Sequence, residues 1–339
     1  IAIGLNAYGA ATTGSDNVAI GKTAMGAAIT TGSQNIAIGQ TASDALTSGA
    51  CTIAIGLNAY GTAAAGGLNI AIGKQAMGNS LVTGTENIAL GTNAMDAMLA
   101  GANNIAIGQD AMSGATTTQQ SIAIGQQALG VGNVDGDYNI GIGYQAGLDI
   151  AAGNSNIAIG ANAMDALTTG SCNIAMGTSA LGAAAAGCFN IAIGELAMGV
   201  GVAGGSAGQG SCNIALGKQS MEDITIGCDN IAIGRNAFKQ ATTGCRNVAI
   251  GLATMGATIT TGIENIALGT DAMDQLTSGG YNIAIGFNAG DAVTTTSCTI
   301  NIGCNADQTT AGVACIVATC LMATQFTATS DCRSKKNIK

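Results

Sequence analysis

The chain has 339 residues with 53 glycines and no proline, histidine or tryptophan; 47% of residues are hydrophobic, 9% are charged, and the formal net charge is −9. This apolar content excludes a disordered linker, which could not offset chain entropy. The near absence of aromatics (3%) argues against a wide globular core, and no apolar run reaches the eighteen or so residues of a membrane-spanning helix.

Internal periodicity points to the architecture. The string Asn-Ile-Ala-Ile-Gly-x-x-Ala-Met recurs, its Asn or the replacing residue falling at 17, 35, 52, 69, 87, 104, 121, 139, 156, 173, 190, 213, 230, 247, 265, 282 and 299. A truncated copy at Ile1 makes eighteen. Because Ile1 stands inside a repeat and is not Met, the protein is expected to continue upstream, and nothing about secretion is read from that end. Successive starts are 17 or 18 residues apart, except for one step of 23 between 190 and 213. Two packed helices need about thirty residues or more. The repeat therefore predicts an all-β chain, a parallel β-solenoid (β-roll) of about 18 coils, each holding two short strands and their turns.

Counting from the Asn, positions two and four are always aliphatic or Met, as in Ile36 and Ile38 or Ile174 and Met176. The residue between them is Ala in sixteen copies, with Gly141 and Asn301 the exceptions. Such alternation marks a strand. Ile is expected to face the core, leaving Ala2, Ala19, Ala37 and their successors to line a second packed surface between neighbouring chains. Gly at position five, from Gly4 to Gly303, implies a positive φ or the close approach of another segment. Position eight is Ala except at Ser220 and Thr254, and position nine is most often Met. These two are expected to form a shorter strand closing the core opposite the Ile pair.

Small polar residues such as Thr168-Thr169-Gly170-Ser171 then turn the chain into the next coil. The repeated Asn predicts either a ladder of amides between coils or isolated Asx-turns. Coils stacked at ~4.8 Å would give a rod roughly 80 Å long, stabilised by nearest neighbours. The extra residues at 202–209 are expected to loop out without disturbing the register. Residues 304–330 are less regular and predict a terminal cap or an intertwined segment.

Few residues suggest chemistry. Setting apart Asp331, Arg333, Lys335, Lys336 and Lys339, residues 1–330 hold 18 acidic and 6 basic side chains, a poor match for nucleic-acid phosphates. Gly21-Lys22-Thr23 lacks the earlier glycine of a phosphate loop, since Asp16 stands there. The segment 130–137 faintly resembles a calcium-binding turn but occurs once. The Thr-rich turns could form an ice-binding array, but Ala64-Ala65, Ala151-Ala152 and Ala185-Ala186 interrupt it. The eleven cysteines include no CxxC pair and have no histidine beside them, so no metal site and no cofactor is expected. Cys228 and Cys245 share a register in adjacent coils, at a separation open to bridging; small buried thiols standing in for Ser or Ala fit equally. No catalytic triad is available without histidine, and the body is expected not to be an enzyme.

The repeat resembles the head repeats of trimeric autotransporter adhesins and, more closely, the NxAIGxxA repeats of bacteriophage tail fibres, over residues 1–303. Ser330-Asp331-Cys332-Arg333-Ser334-Lys335-Lys336-Asn337-Ile338 resembles the start of the self-cleaving intramolecular chaperone domain of phage tailspikes and fibres. That resemblance implies cleavage between Ser330 and Asp331, with the Ser330 hydroxyl as nucleophile and Lys335 as an assisting base. It divides the chain into a shaft (1–303), a cap or trimer segment (304–330) and the chaperone start (331–339). Together these likenesses imply a homotrimeric structural fibre of a virion tail, extracellular and joined to the tail or baseplate. Its further partner would be a host-cell surface receptor, with no nucleic acid bound and no membrane insertion. The alternative they imply is a bacterial cell-surface adhesin.

Overall fold

A computed structural model of the chain describes all residues except 10–12, 27–29, 62–64, 80, 131–135, 184–185, 201–209 and 317–339. Among the described residues the regular structure is strand alone. Nineteen strands of two or three residues run from Ala2–Ile3 and Val18–Ile20 to Ile300–Ile302 and Ala314–Ile316. Each pairs in parallel with the strand of the next coil and in register, as Ile36, Ala37 and Ile38 do with Ile53, Ala54 and Ile55. The repeat is therefore a parallel β-solenoid, as its period predicts. The longest step leaves the register intact, with Ile191 opposite Ile214; the 202–209 loop itself lies outside the described residues. In the irregular segment that follows the last repeat, Ala314–Ile316 adds one more rung upon Ile300–Ile302.

The strand's two faces are the reverse of the expectation. Ala19, Ala37, Ala54 and their successors are fully buried inside their own chain, so they do not line a surface between chains; Ala2, in the first coil, is exposed. The flanking Ile residues point outward and stay partly exposed, the strands from Val18–Ile20 to Ile300–Ile302 reading buried at the centre and intermediate or exposed on either side. The reason is space. The interior is filled from the opposite side by position eight and by the long side chain at position nine, including Met25, Met77, Tyr60 and Phe238. At Gly141 even a methyl group would sit 2.7 Å from the Ala146 carbonyl oxygen and 3.0 Å from Leu129 Cγ. No Ile fits such a slot.

Positions eight and nine close the core as expected, but in a turn and not a strand. Position seven is held at positive φ in coil after coil, for example Asn6 (57°), Asn58 (52°) and Asn93 (55°). That left-handed kink is incompatible with extended backbone. Coil-to-coil bonding persists through the turn, since the Met77 N–H donates to the Ala59 carbonyl at 2.8 Å. A third core column, invisible to the period-2 pattern, lies three residues further on. Leu46, Ile150 and Val293 belong to it, and they fill the core where position nine is Ser43, Gly147 or Gly290.

The position-one amides form the ladder, and not isolated turns. Asn156 is fully buried. Its Oδ1 accepts the Asn173 N–H at 3.0 Å and the Asn173 Nδ2 at 3.1 Å, and its own Nδ2 donates to the Gly170 carbonyl at 2.9 Å. Each such side chain thus bonds the coil above, and the buried Asn156 amide is satisfied at both ends. Thr52, Ser121 and Thr299 take the rung elsewhere, and each donates its backbone N–H to the Asn of the preceding coil, as Ser121 does to Asn104 Oδ1 at 2.9 Å. At position five both proposed reasons for glycine hold. Gly125 has φ +131°, and a Cβ there would lie 2.5 Å from the Gly143 carbonyl oxygen.

Candidate interaction surface

Turning Ala inward sets the aliphatic pair of every coil on the outside. Because the strands stack in register, positions two and four form two continuous columns along the sheet. Ile36, Ile72, Ile107, Ile124, Met176, Ile193, Ile250, Ile266, Ile285 and Ile300 are each between 36% and 39% exposed. No charged residue occupies either column from end to end. Two strand residues apart, the columns are separated by ~7 Å, so a strip ~80 Å long covers on the order of 600 Å². That estimate, before any flanking residue is added, already stands at the upper end of the ~300–600 Å² of the largest apolar patch on a typical monomer.

The flanks widen the strip unevenly. Leu57, Tyr144 and Phe287 extend it at position six, and Leu68, Tyr138, Phe189 and Tyr281 extend it just before position one. The same two flanking columns carry charge elsewhere. Lys218 pairs with Glu195 at 3.0 Å, and Arg246 with Glu264 at 2.8 Å, each between consecutive coils. The result is an apolar band with a mixed polar rim, the anatomy of a protein–protein interface. Parallel sheets are ordinarily covered on both faces; this one is covered on one.

A second inter-coil column runs two residues before the Asn. There a backbone N–H donates to the side chain of the next coil, as Asn154 does to Ser171 Oγ at 3.0 Å and Cys188 to Ser211 Oγ at 3.0 Å. Cysteine substitutes as the acceptor. The Cys228 N–H reaches Cys245 Sγ at 3.2 Å, and the Cys228 thiol donates to the same sulfur at 2.9 Å. That sulfur–sulfur hydrogen bond, with burial, pushes the Cys228 thiol up to about 12. All eight described free cysteines carry thiols, and Cys51, Cys172, Cys212, Cys298 and Cys304 are exposed.

At position ten, burial raises the carboxyls of Asp44, Asp96 and Asp165 above the usual range. Among the described residues no pocket opens in the surface, and no group of three or more His, Cys, Asp or Glu could hold a metal ion. No described helix is long and apolar enough to cross a membrane. Of the residues singled out in the sequence, Ser330, Asp331 and Lys335 lie outside the described residues, as does most of the 130–137 segment. Lys22 and Thr23 are part of an ordinary coil, Thr23 Oγ1 donating to the Lys22 carbonyl at 2.8 Å. No protein-family model and no curated protein sequence matches the chain.

Proposed function

We propose that this chain is the shaft of a homotrimeric fibre, a tail fibre of a phage or other virus, which supports attachment to the host cell. The observation that carries the reading is the uncovered aliphatic strip along one face of an in-register parallel sheet. A strip of this length, kept apolar in every coil, calls for a partner equally long and equally regular, and a second copy of the same rod is such a partner. Copies packed side by side around a common axis close into a ring without leaving the strip open, which end-to-end stacking would not do. The buried strip per chain would approach the ~800 Å² that each partner contributes to a stable interface. The chain's work in this reading is mechanical.

The likeness of Ser330-Asp331 to a chaperone junction supports the fibre over the adhesin. It assigns Ser330 and Lys335 a single self-cleavage after assembly and no turnover. Sedimentation equilibrium of the purified protein tests the assembly, with three chain masses expected; a monomer would overturn it. Immunogold labelling of virus particles then tests the placement. Label on the tail fibres is the expected result, and label on a bacterial cell surface would replace the fibre with the adhesin.

A further inference from the structure

The column that places Cys228 above Cys245 does more than replace one hydrogen-bond acceptor by another. Among the described cysteines these two are the one pair that share a register in consecutive coils. Cys188, in the same column, has Ser171 below and Ser211 above. The sulfurs of Cys228 and Cys245 stand 2.9 Å apart, inside the van der Waals contact of two sulfur atoms. The backbone is pinned on both sides of the pair, with the Arg246 N–H donating to the Cys228 carbonyl at 2.9 Å and the Asp229 N–H to the Ser211 carbonyl at 3.2 Å. Adjacent parallel rungs also set the two Cα atoms at about the separation a disulfide requires.

We propose that Cys228 and Cys245 form an oxidisable dithiol, closed to a disulfide between consecutive coils by a small disulfide oxidant of the glutathione class. The geometry gives the two sulfurs different roles. Cys245 Sγ accepts both the Cys228 N–H and the Cys228 S–H, and these two donors, already in place, make it the attacking sulfur. Cys228, whose proton is engaged in that bond, is the resolving thiol. The Cys245 thiolate attacks the oxidant, forming a mixed disulfide and expelling one glutathione thiolate. Cys228 then attacks the Cys245 sulfur, losing its proton and expelling the second glutathione. Two protein thiols and one disulfide oxidant become one protein disulfide and two glutathione thiols, and both electrons are accounted for. Both side chains are half-buried, so the oxidant can reach them.

The folded protein is incubated with oxidised glutathione, alkylated, and digested with trypsin without reduction. Cleavage after Lys218, Arg235, Lys239 and Arg246 isolates each cysteine in its own peptide, 219–235 and 240–246. The expected product is these two peptides linked, lighter by two hydrogens than their sum, from a chain that still migrates as a monomer in non-reducing denaturing gels. The C228S variant is expected to hold a stable glutathione adduct on Cys245. The C245S variant is expected to react at Cys228 at least tenfold more slowly. Serine already occupies this column at Ser171, Ser211 and Ser297, so both variants retain the coil. Free thiols at both positions in the oxidised wild type would overturn the proposal. So would a lasting glutathione adduct on the wild type, or linkage of either cysteine to a third one. Equal adduct rates in the two variants would overturn the assignment of roles.

Discussion

Asp274 and Asp291 occupy the same position in consecutive coils, one directly above the other. Burial, reinforced by a hydrogen bond between the two carboxyls and by the Asp291 charge, pushes Asp274 up to about 7. The stacking that unites the aliphatic residues thus also forces like charges together wherever a polar column repeats itself.

A pH dependence follows. The folded pKa of Asp274 lies above its unfolded value near 3.8, so between those limits the folded chain binds more protons than the unfolded one. Stability is therefore fully present below pH ~4 and declines as pH rises through about 7. Urea midpoints measured from pH 4 to pH 8 should fall over that interval. The D274N variant should lose this contribution, and an identical profile for D274N would dismiss it.

The position-five glycines predict a sharp substitution pattern. Alanine at Gly125 would have to adopt φ +131° with its methyl 2.5 Å from the Gly143 carbonyl oxygen. The backbone strain alone costs about 1–3 kcal/mol, and the collision adds to it. G182A is the control, because φ there is ordinary and the nearest atoms lie at 3.2 Å. Chemical denaturation should separate the two variants by at least the strain energy; similar midpoints would contradict the close approach of coils.

The two strand faces should respond oppositely to substitution. A106I forces three carbons into a fully buried slot and should destabilise the single chain by about 1–3 kcal/mol or more, as overpacked cores do. I107D combined with I193D changes partly exposed positions in coils that are not neighbours, should leave the circular dichroism of the fold intact, and should abolish assembly in sedimentation runs. Assembly that survives the double variant would mean that chains meet on another face.

At the amide ladder, N156A would strand the Asn173 N–H and the Gly170 carbonyl, both now bonded to the Asn156 side chain. A buried group left without its partner costs about 1–3 kcal/mol. N156S should recover part of the loss, because Ser121 Oγ already accepts the Asn139 N–H at 3.0 Å in the equivalent place. Thermal unfolding of the three proteins should rank wild type above serine above alanine, and a reversed order for the two variants would deny the ladder its role.

Much of the solenoid was legible because a period of 17 or 18 residues leaves room for nothing larger than a short rung. The orientation of the strand was not. Alternation of Ile and Ala states that two faces differ, and it is silent on which one turns inward. The usable signal was the narrow tolerance of position three, held to Ala, Gly141 and Asn301, beside the freer mixture of Ile, Val, Leu and Met on either side. Restriction to small residues marks the tighter space, and Asn301 is admitted beside Gly290, where position nine has no side chain. The kink at position seven left a partial trace in Asn6, Asn58, Asn93 and Asn162, a residue type tolerant of left-handed backbone. The equally positive φ of Leu68, Tyr138 and Phe189 (60°, 61° and 57°) left none. The cysteine pair was readable as a register coincidence, but the roles of its two sulfurs required the direction of the hydrogen bonds.

The sequential pairing of coils makes the length of this molecule an integer quantity. Each described strand pairs with the strands of the preceding and the following repeat, so duplicating or deleting one unit in the gene would lengthen or shorten the rod by ~4.8 Å and change neighbours at a single junction. Unequal recombination between such similar units offers evolution a ruler marked in fixed divisions, and reach can be reset by remaking one junction.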